Sequence, residues 1–355
     1  MQTVGQRLAT HGNDDSNNFT LIRVLAALAV VYGHCFALAK SCDGCVDPVL
    51  TITKWRYSGD IALFIFFFIS GFLITASLHK NRSFVKFFGA RFKRIFPGLL
   101  VFILFVTFII GPFYTSISLP EYLANGNIWE FVISNATMKE IIFVLPGVFD
   151  EAHRPSIAVG TLWSLWVEVR LYLISGAVAA LGATRSQAMG NALCAPLVAW
   201  GFFSPGSFPL VGVNPANVEV AAFYVAGSLV YINRDIIPAS TSGILPLGLA
   251  TLAARGYDGY HIVASIFVCY TTLSLALANK VKLPKVVQDY SYGIYLYGWV
   301  AQQIIAVQLP DWGPYRMMIL ALPASIILGA ASWFLVEKPA ISFRRRHRLQ
   351  AAPIF

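Results

Sequence analysis

Stretches of apolar residues about as long as a bilayer is wide recur along the whole chain, separated by polar and basic connections. At a helical rise of about 1.5 Å per residue, about 20 such residues cross a hydrocarbon core of about 30 Å. The pattern predicts ten helices, at 19–39, 60–78, 95–113, 159–180, 190–204, 218–233, 238–254, 260–279, 290–308 and 316–336. The segment 190–204 is the shortest and runs into the turn-rich "SPGSFP". A transmembrane β-barrel would instead show short alternating segments, and the sequence has none. The expected fold is all-α, a polytopic membrane bundle of about ten transmembrane helices.

Composition agrees. Of 355 residues, 57% are hydrophobic and 12% charged, about half the charged share of an ordinary soluble domain. The net charge of +9 does not point to nucleic acid, because its placement has a simpler cause. The basic residues cluster in "HKNRSFVKFFGARFKR" (79–94), "NKVKLPK" (279–285) and the tail "SFRRRHR" (342–348). With ten helices and a cytoplasmic N-terminus, all three clusters fall on one side. The connection 114–158 falls on the other, with five acidic residues against Lys139 and Arg154. That asymmetry is the positive-inside pattern, and it places both termini in the cytoplasm. The N-terminal segment lacks the compact basic start of a cleavable signal, so the first helix is expected to serve as an uncleaved anchor. The expected organisation is a polar segment 1–18, one transmembrane domain 19–343 and a basic tail 344–355.

The five cysteines add little. Cys35, Cys194 and Cys269 lie in apolar helices, where small buried thiols are ordinary. Cys42 and Cys45, in "SCDGCVD", sit outside the membrane, where a local disulfide or unpaired thiols are expected. A zinc site needs about four ligands, so no metal is expected.

Ionisable residues inside membrane helices are rare and count as functional candidates. In "LIRVLAALAVVYGHCFALA", Arg23 and His34 stand 11 positions apart. That spacing brings them within about 20° of one helix face and about 16 Å apart along it. Arg23 can snorkel to the cytoplasmic surface. His34 is a candidate general base, since imidazole titrates near neutral pH without large perturbation, or a histidine bonded to a neighbouring helix. In "TLWSLWVEVRLYL", helix arithmetic puts Glu168 at a depth similar to His34. A carboxylate there could orient an imidazole, or could pair with a group such as Arg170. In "ARFKRIFP", Arg91 and Arg94 are three apart where the third apolar segment begins, a good geometry for a phosphate clamp on an anionic cofactor. Anionic lipid head groups are the competing ligand. Ser70, Tyr292 and Tyr295 are candidate lining residues, although such hydroxyls often only bond neighbouring helices.

Together these residues resemble the acyltransferase family 3 of integral membrane O-acyltransferases. The resemblance runs from about residue 19 to 345. It is carried by Arg-x10-His in the first helix, "FFFISGFLITASL", "RFKRIFP", "LWSLWVEVRLYL", "SYGIYLYG" and "FLVEKP". It implies a multi-pass protein of a bacterial plasma (inner) membrane, a cytosolic acyl-CoA donor (acetyl-CoA by default), and a glycan or glycolipid acceptor on the far side. Arg91, Lys93 and Arg94 would then hold the phosphates of CoA, and its pantetheine arm would pass Arg23. His34 would deprotonate the acceptor or itself accept the acyl group, with Glu168 assisting. Many members carry a histidine where Gly298 stands in "SYGIYLYG", so any role for that second histidine is absent or filled elsewhere.

Two non-enzymatic readings compete. A secondary transporter also concentrates ionisable groups at mid-membrane, but it predicts paired repeats with matching broken helices, and the sequence has neither. A non-catalytic subunit of an envelope polysaccharide machine predicts that no intramembrane polar residue is needed. No appended domain names the acceptor, and no feature of the sequence marks an oligomeric state.

Overall fold

The computed structural model describes residues 2–10, 17–41, 44–80, 83–152, 157–182, 186–204, 211–212, 214–279, 281 and 288–342. Arg82, Cys42, most of "NKVKLPK" and the tail from 343 lie outside the described residues. Among the described residues the chain is helical, with isolated β-bridges and no strand. The principal helices are α1 (Phe19–Leu38), α2 (Ser58–Lys80), α3 (Phe84–Phe105), α4 (Leu162–Ala180) and α5 (Gln187–Phe203). They continue with α6 (Pro215–Ile232), α7 (Ile244–Ala253), α8 (Tyr260–Ala276), α9 (Ser291–Gln308) and α10 (Pro314–Ser332).

Six elements among the described residues are long and apolar enough to cross a bilayer: Phe19–Leu38, Ser58–Lys80, Phe84–Tyr114, Leu162–Ala180, Pro215–Ile232 and Pro314–Ser342. They mark a membrane protein. The other expected spans differ in kind. The segment expected at 238–254 forms a 10-residue helix preceded by one 3-10 turn, about half the length a bilayer core requires. α9 carries Gln302, Gln303 and Gln308, which make it too polar for that class despite its 18 residues.

One boundary corrects the sequence reading. α3 begins at Phe84, not at 95, so Arg91 and Arg94 lie well inside the helix and not at its free N–H groups. Hydropathy locates where lipid begins, whereas a helix runs on through basic turns that retain good helix formers.

The chain divides into two compact units. The first comprises Met1–Gly33, Val46–Phe84 and Val167–Asp289. Its densest packing joins α2 to α6. A Cβ at Gly71 would come 1.9 Å from the Tyr224 carbonyl oxygen, and one at Gly227 would come 2.0 Å from that of Phe68. Only glycine allows this approach, as small residues do at other membrane-helix crossings. Phe64 stacks on Phe223 at 4.2 Å beside the crossing. Gly71→Ala should therefore force the two helices apart and destabilise the protein by about 1–3 kcal/mol. Thermal unfolding in detergent would measure this, and an unchanged midpoint would contradict so close a crossing. Also in this unit, Asp47 caps the short helix Pro48–Thr53 through Val49 N at 2.7 Å and accepts from Ser58 N at 2.9 Å.

The second unit comprises His34–Cys45, Val85–Trp166 and Tyr290–Phe355. α9 is buried around most of its circumference, as a core helix should be, and packs along α10. α3 continues through a π-helical turn, Val106–Ile110. Such a turn disturbs the regular carbonyl pairing. Here the Tyr122 phenol donates to the Thr107 carbonyl at 2.8 Å. Burial pushes that phenol's pKa up, so it stays a donor. The connection from 114 to 158 contains helices Leu119–Ala124 and Gly126–Thr137. It is tied by the bridges Thr115–Val148 and Val144–Ile157. Cys45 is disulfide-bonded, and Cys35, Cys194 and Cys269 are free thiols.

Candidate active site

In the first unit, Glu168 of α4 is oriented by two hydroxyls. Ser70 of α2 donates to its Oε1 at 2.7 Å, and Tyr172, one helical turn along α4, donates to the same oxygen. The two hydroxyl oxygens are themselves 2.9 Å apart. A carboxylate in a membrane helix needs such donors, because lipid offers none. Arg23 of α1 pairs with Asp289, Nη1 to Oδ2 at 2.7 Å, at partial burial.

In the second unit, the His34 ring meets the Trp299 indole edge to face, with centroids 5.0 Å apart and planes at 86°. Its Nδ1 is buried and has no hydrogen-bond partner among the described residues. Next along α1, the Cys35 sulfur accepts from Gln302 Nε2 at 3.0 Å. α9 thus grips the C-terminal end of α1 at two successive residues.

The basic cluster also lies in this unit. Arg94 Nη1 pairs with Glu337 Oε2 at 3.2 Å, and the guanidinium lies over the Trp333 ring at 5.2 Å. Glu337 is fully buried, and its Oε1 accepts from Ser332 at 2.9 Å. A second π-helical turn, Trp333–Glu337, delivers both Trp333 and Glu337 to this contact. Arg91 lies over Phe87 at 5.9 Å, and Lys93 is half-buried. Tyr292 donates to the Ile95 carbonyl at 2.9 Å, and Tyr295 to that of Thr161 at 3.0 Å. Both therefore bond neighbouring segments, one of the two roles open to them.

Among the described residues no group of three or more His, Cys, Asp or Glu side chains is arranged to hold a metal ion. Two acidic residues central to these contacts, Asp289 and Glu337, were not among the sequence candidates. The available signal was an acidic side chain abutting an otherwise apolar helix. Asp289 stands two residues before the start of "SYGIYLYG", and Glu337 stands in "FLVEKP".

Comparison with known proteins bears on the chemistry. The family model described as acyltransferase domain matches residues 16–338. The O-acetyl transferase of Shigella phage Sf6 is 29% identical, over 91% of this chain and 95% of its own. Nodulation protein 10 of Rhizobium leguminosarum bv. viciae is 25% identical, over 94% of this chain and 95% of its own. The peptidoglycan O-acetyltransferase OatA of Listeria monocytogenes is 35% identical over 34% of this chain and 20% of its own. No solved structure matches the chain.

Proposed function

Because this chain belongs to the acyltransferase domain family and is an O-acyltransferase, we propose that it moves an acetyl group from cytosolic acetyl-CoA to a hydroxyl of a saccharide or lipid-linked saccharide across a bacterial inner membrane. The acceptor class draws on relatives named for O-acetyl transfer, one of them acting on peptidoglycan. About ten spans with both termini cytoplasmic complete this reading, supported by the basic segments of the sequence.

The observation that carries the mechanism is His34. Arg23, Arg94 and Glu168 each hold a polar partner, while the buried Nδ1 of His34 holds none among the described residues. In the proposed step the imidazole takes the acceptor's hydroxyl proton as the oxygen attacks the thioester carbonyl. The C–S bond then breaks, and the proton passes from imidazolium to the departing CoA thiolate. In the alternative, an imidazole nitrogen attacks the thioester carbonyl and expels the CoA thiolate; the acceptor hydroxyl then attacks the acyl-imidazole, the N–acyl bond breaks, and the hydroxyl proton passes to the thiolate. Glu168, held by Ser70 and Tyr172, is assigned the role of the assisting carboxylate. CoA phosphates bind at the basic N-terminal part of α3, with the contacts assigned to Arg91, Lys93 and Arg94. Arg23 marks the path of the pantetheine arm.

The test is NMR of cell-envelope glycans from a strain lacking this protein and from the same strain complemented. The expected result is O-acetyl signals restored by complementation and, with purified protein in vesicles, dependent on acetyl-CoA. Identical glycans in both strains, together with no acyl transfer in vesicles, would remove the proposal.

A further inference from the structure

We propose that Trp299 is the positioning residue for His34, and that Gly160 and the Ile157 carbonyl hold Trp299 in place to do it. This rests on His34 being the base or acyl acceptor. A histidine ring has a broad, roughly two-fold χ2 preference, so something outside the side chain must choose its orientation. In many catalytic sites a hydrogen bond to the second ring nitrogen makes that choice. Here Nδ1 has no such bond among the described residues, and the contact that meets the ring is the Trp299 edge-to-face pair at 5.0 Å.

The indole is itself fixed on two sides. Its Nε1–H donates to the Ile157 carbonyl at 2.9 Å. The backbone of Gly160 lies against the ring, so a Cβ there would come 2.4 Å from Cε2 and 2.5 Å from Cζ2. The segment 157–161 is held in turn by α9. Gln303 Nε2 also donates to the Ile157 carbonyl, at 2.9 Å, and the Tyr295 hydroxyl donates to that of Thr161 at 3.0 Å. Tyr295, Trp299 and Gln303 stand at four-residue intervals, so they form one stripe of α9. That stripe donates three hydrogen bonds to one strap of backbone, with the middle residue turned against His34. From the far edge of the strap, Ala158 N donates to the Phe143 carbonyl at 2.8 Å. So rigid an assembly, ending on an imidazole with no other orienting bond at Nδ1, is what a base with one productive angle requires.

The experiment uses the full chain reconstituted in vesicles. Trp299→Leu keeps an apolar side chain but removes the ring contact, and Gly160→Ala displaces the ring without altering the histidine or the indole chemically. Both should lower kcat on the order of 10²-fold, the effect of about 1 Å of misplacement. KM for acetyl-CoA should be unchanged, and the pH–rate limb set by the base should be displaced. Trp299→Phe retains an aromatic partner and should recover part of the loss, which a purely space-filling role would not distinguish from leucine. The contact can also be read in the unmodified protein. The His34 ring protons, identified as those missing from His34→Gln, should be shifted by the indole ring current. Unshifted protons would overturn the inference whether or not any variant folds. So would wild-type kcat and pH profile in folded Trp299→Leu and Gly160→Ala. If His34→Gln is inactive while those two variants are normal, only the positioning role falls. If His34→Gln itself turns over, the proposed function of His34 falls first.

Discussion

Replacing His34 with alanine should lower acyl transfer by about 10²- to 10⁴-fold, the usual loss when a general base is removed, and further if the histidine carries the acyl group. Membrane insertion and acyl-CoA binding should persist. Alanine in an apolar helix is easily inserted, and the assigned phosphate contacts lie on α3. His34→Gln is the sharper variant, because it keeps a hydrogen-bonding side chain of similar reach but cannot accept the proton. It should fail as alanine does, whereas a histidine used only for packing against Trp299 would tolerate it better. Turnover measured per folded protein decides this, and substantial activity in well-expressed His34→Gln would return the residue to a packing role.

Arg94→Ala should produce the second large effect, and mainly on stability. Glu337 is fully buried, and removal of Arg94 takes away a cation paired with that carboxylate. Breaking such a pair from one side typically costs about 3–5 kcal/mol. Adding Glu337→Gln to Arg94→Ala should restore most of the stability, since the amide keeps a partner in Ser332 and carries no charge. Arg91→Ala should weaken acyl-CoA binding, since it removes a charge-assisted phosphate contact worth about 1.5–3 kcal/mol. Thermal unfolding and acyl-CoA titration of the three proteins separate the roles. If Arg94→Ala is as stable as the parent, the buried pair is not what holds this part of α3.

Arg94 shows where sequence reasoning ended. It stood in "RFKRIFP" three residues after Arg91, in a spacing that suited a phosphate clamp. Nothing in that motif tells that a distant glutamate will engage Arg94. Glu337 lies 243 positions away, and it reaches Arg94 through a π-helical turn that no hydropathy pattern encodes. Glu168 is a similar case. Its depth in α4 followed from counting residues, and Tyr172 stands one turn on in the same helix, but the contact with Ser70 depends on how α2 packs within its unit.

The helical class and the apolar membrane segments were legible because both are written in local periodicity and run length, which each segment carries alone. His34 stood out as a candidate for a related reason, since an ionisable group within such a run is conspicuous anywhere. Which acidic residues accept Arg23 and Arg94, and what meets the His34 ring, were decided by tertiary packing. Those outcomes depend on side chains far apart in the chain arriving within a few ångströms of one another, as Trp299 does at His34 and Gly160 at Trp299. A buried polar group takes the partner that packing brings to it, because no water is there to serve instead.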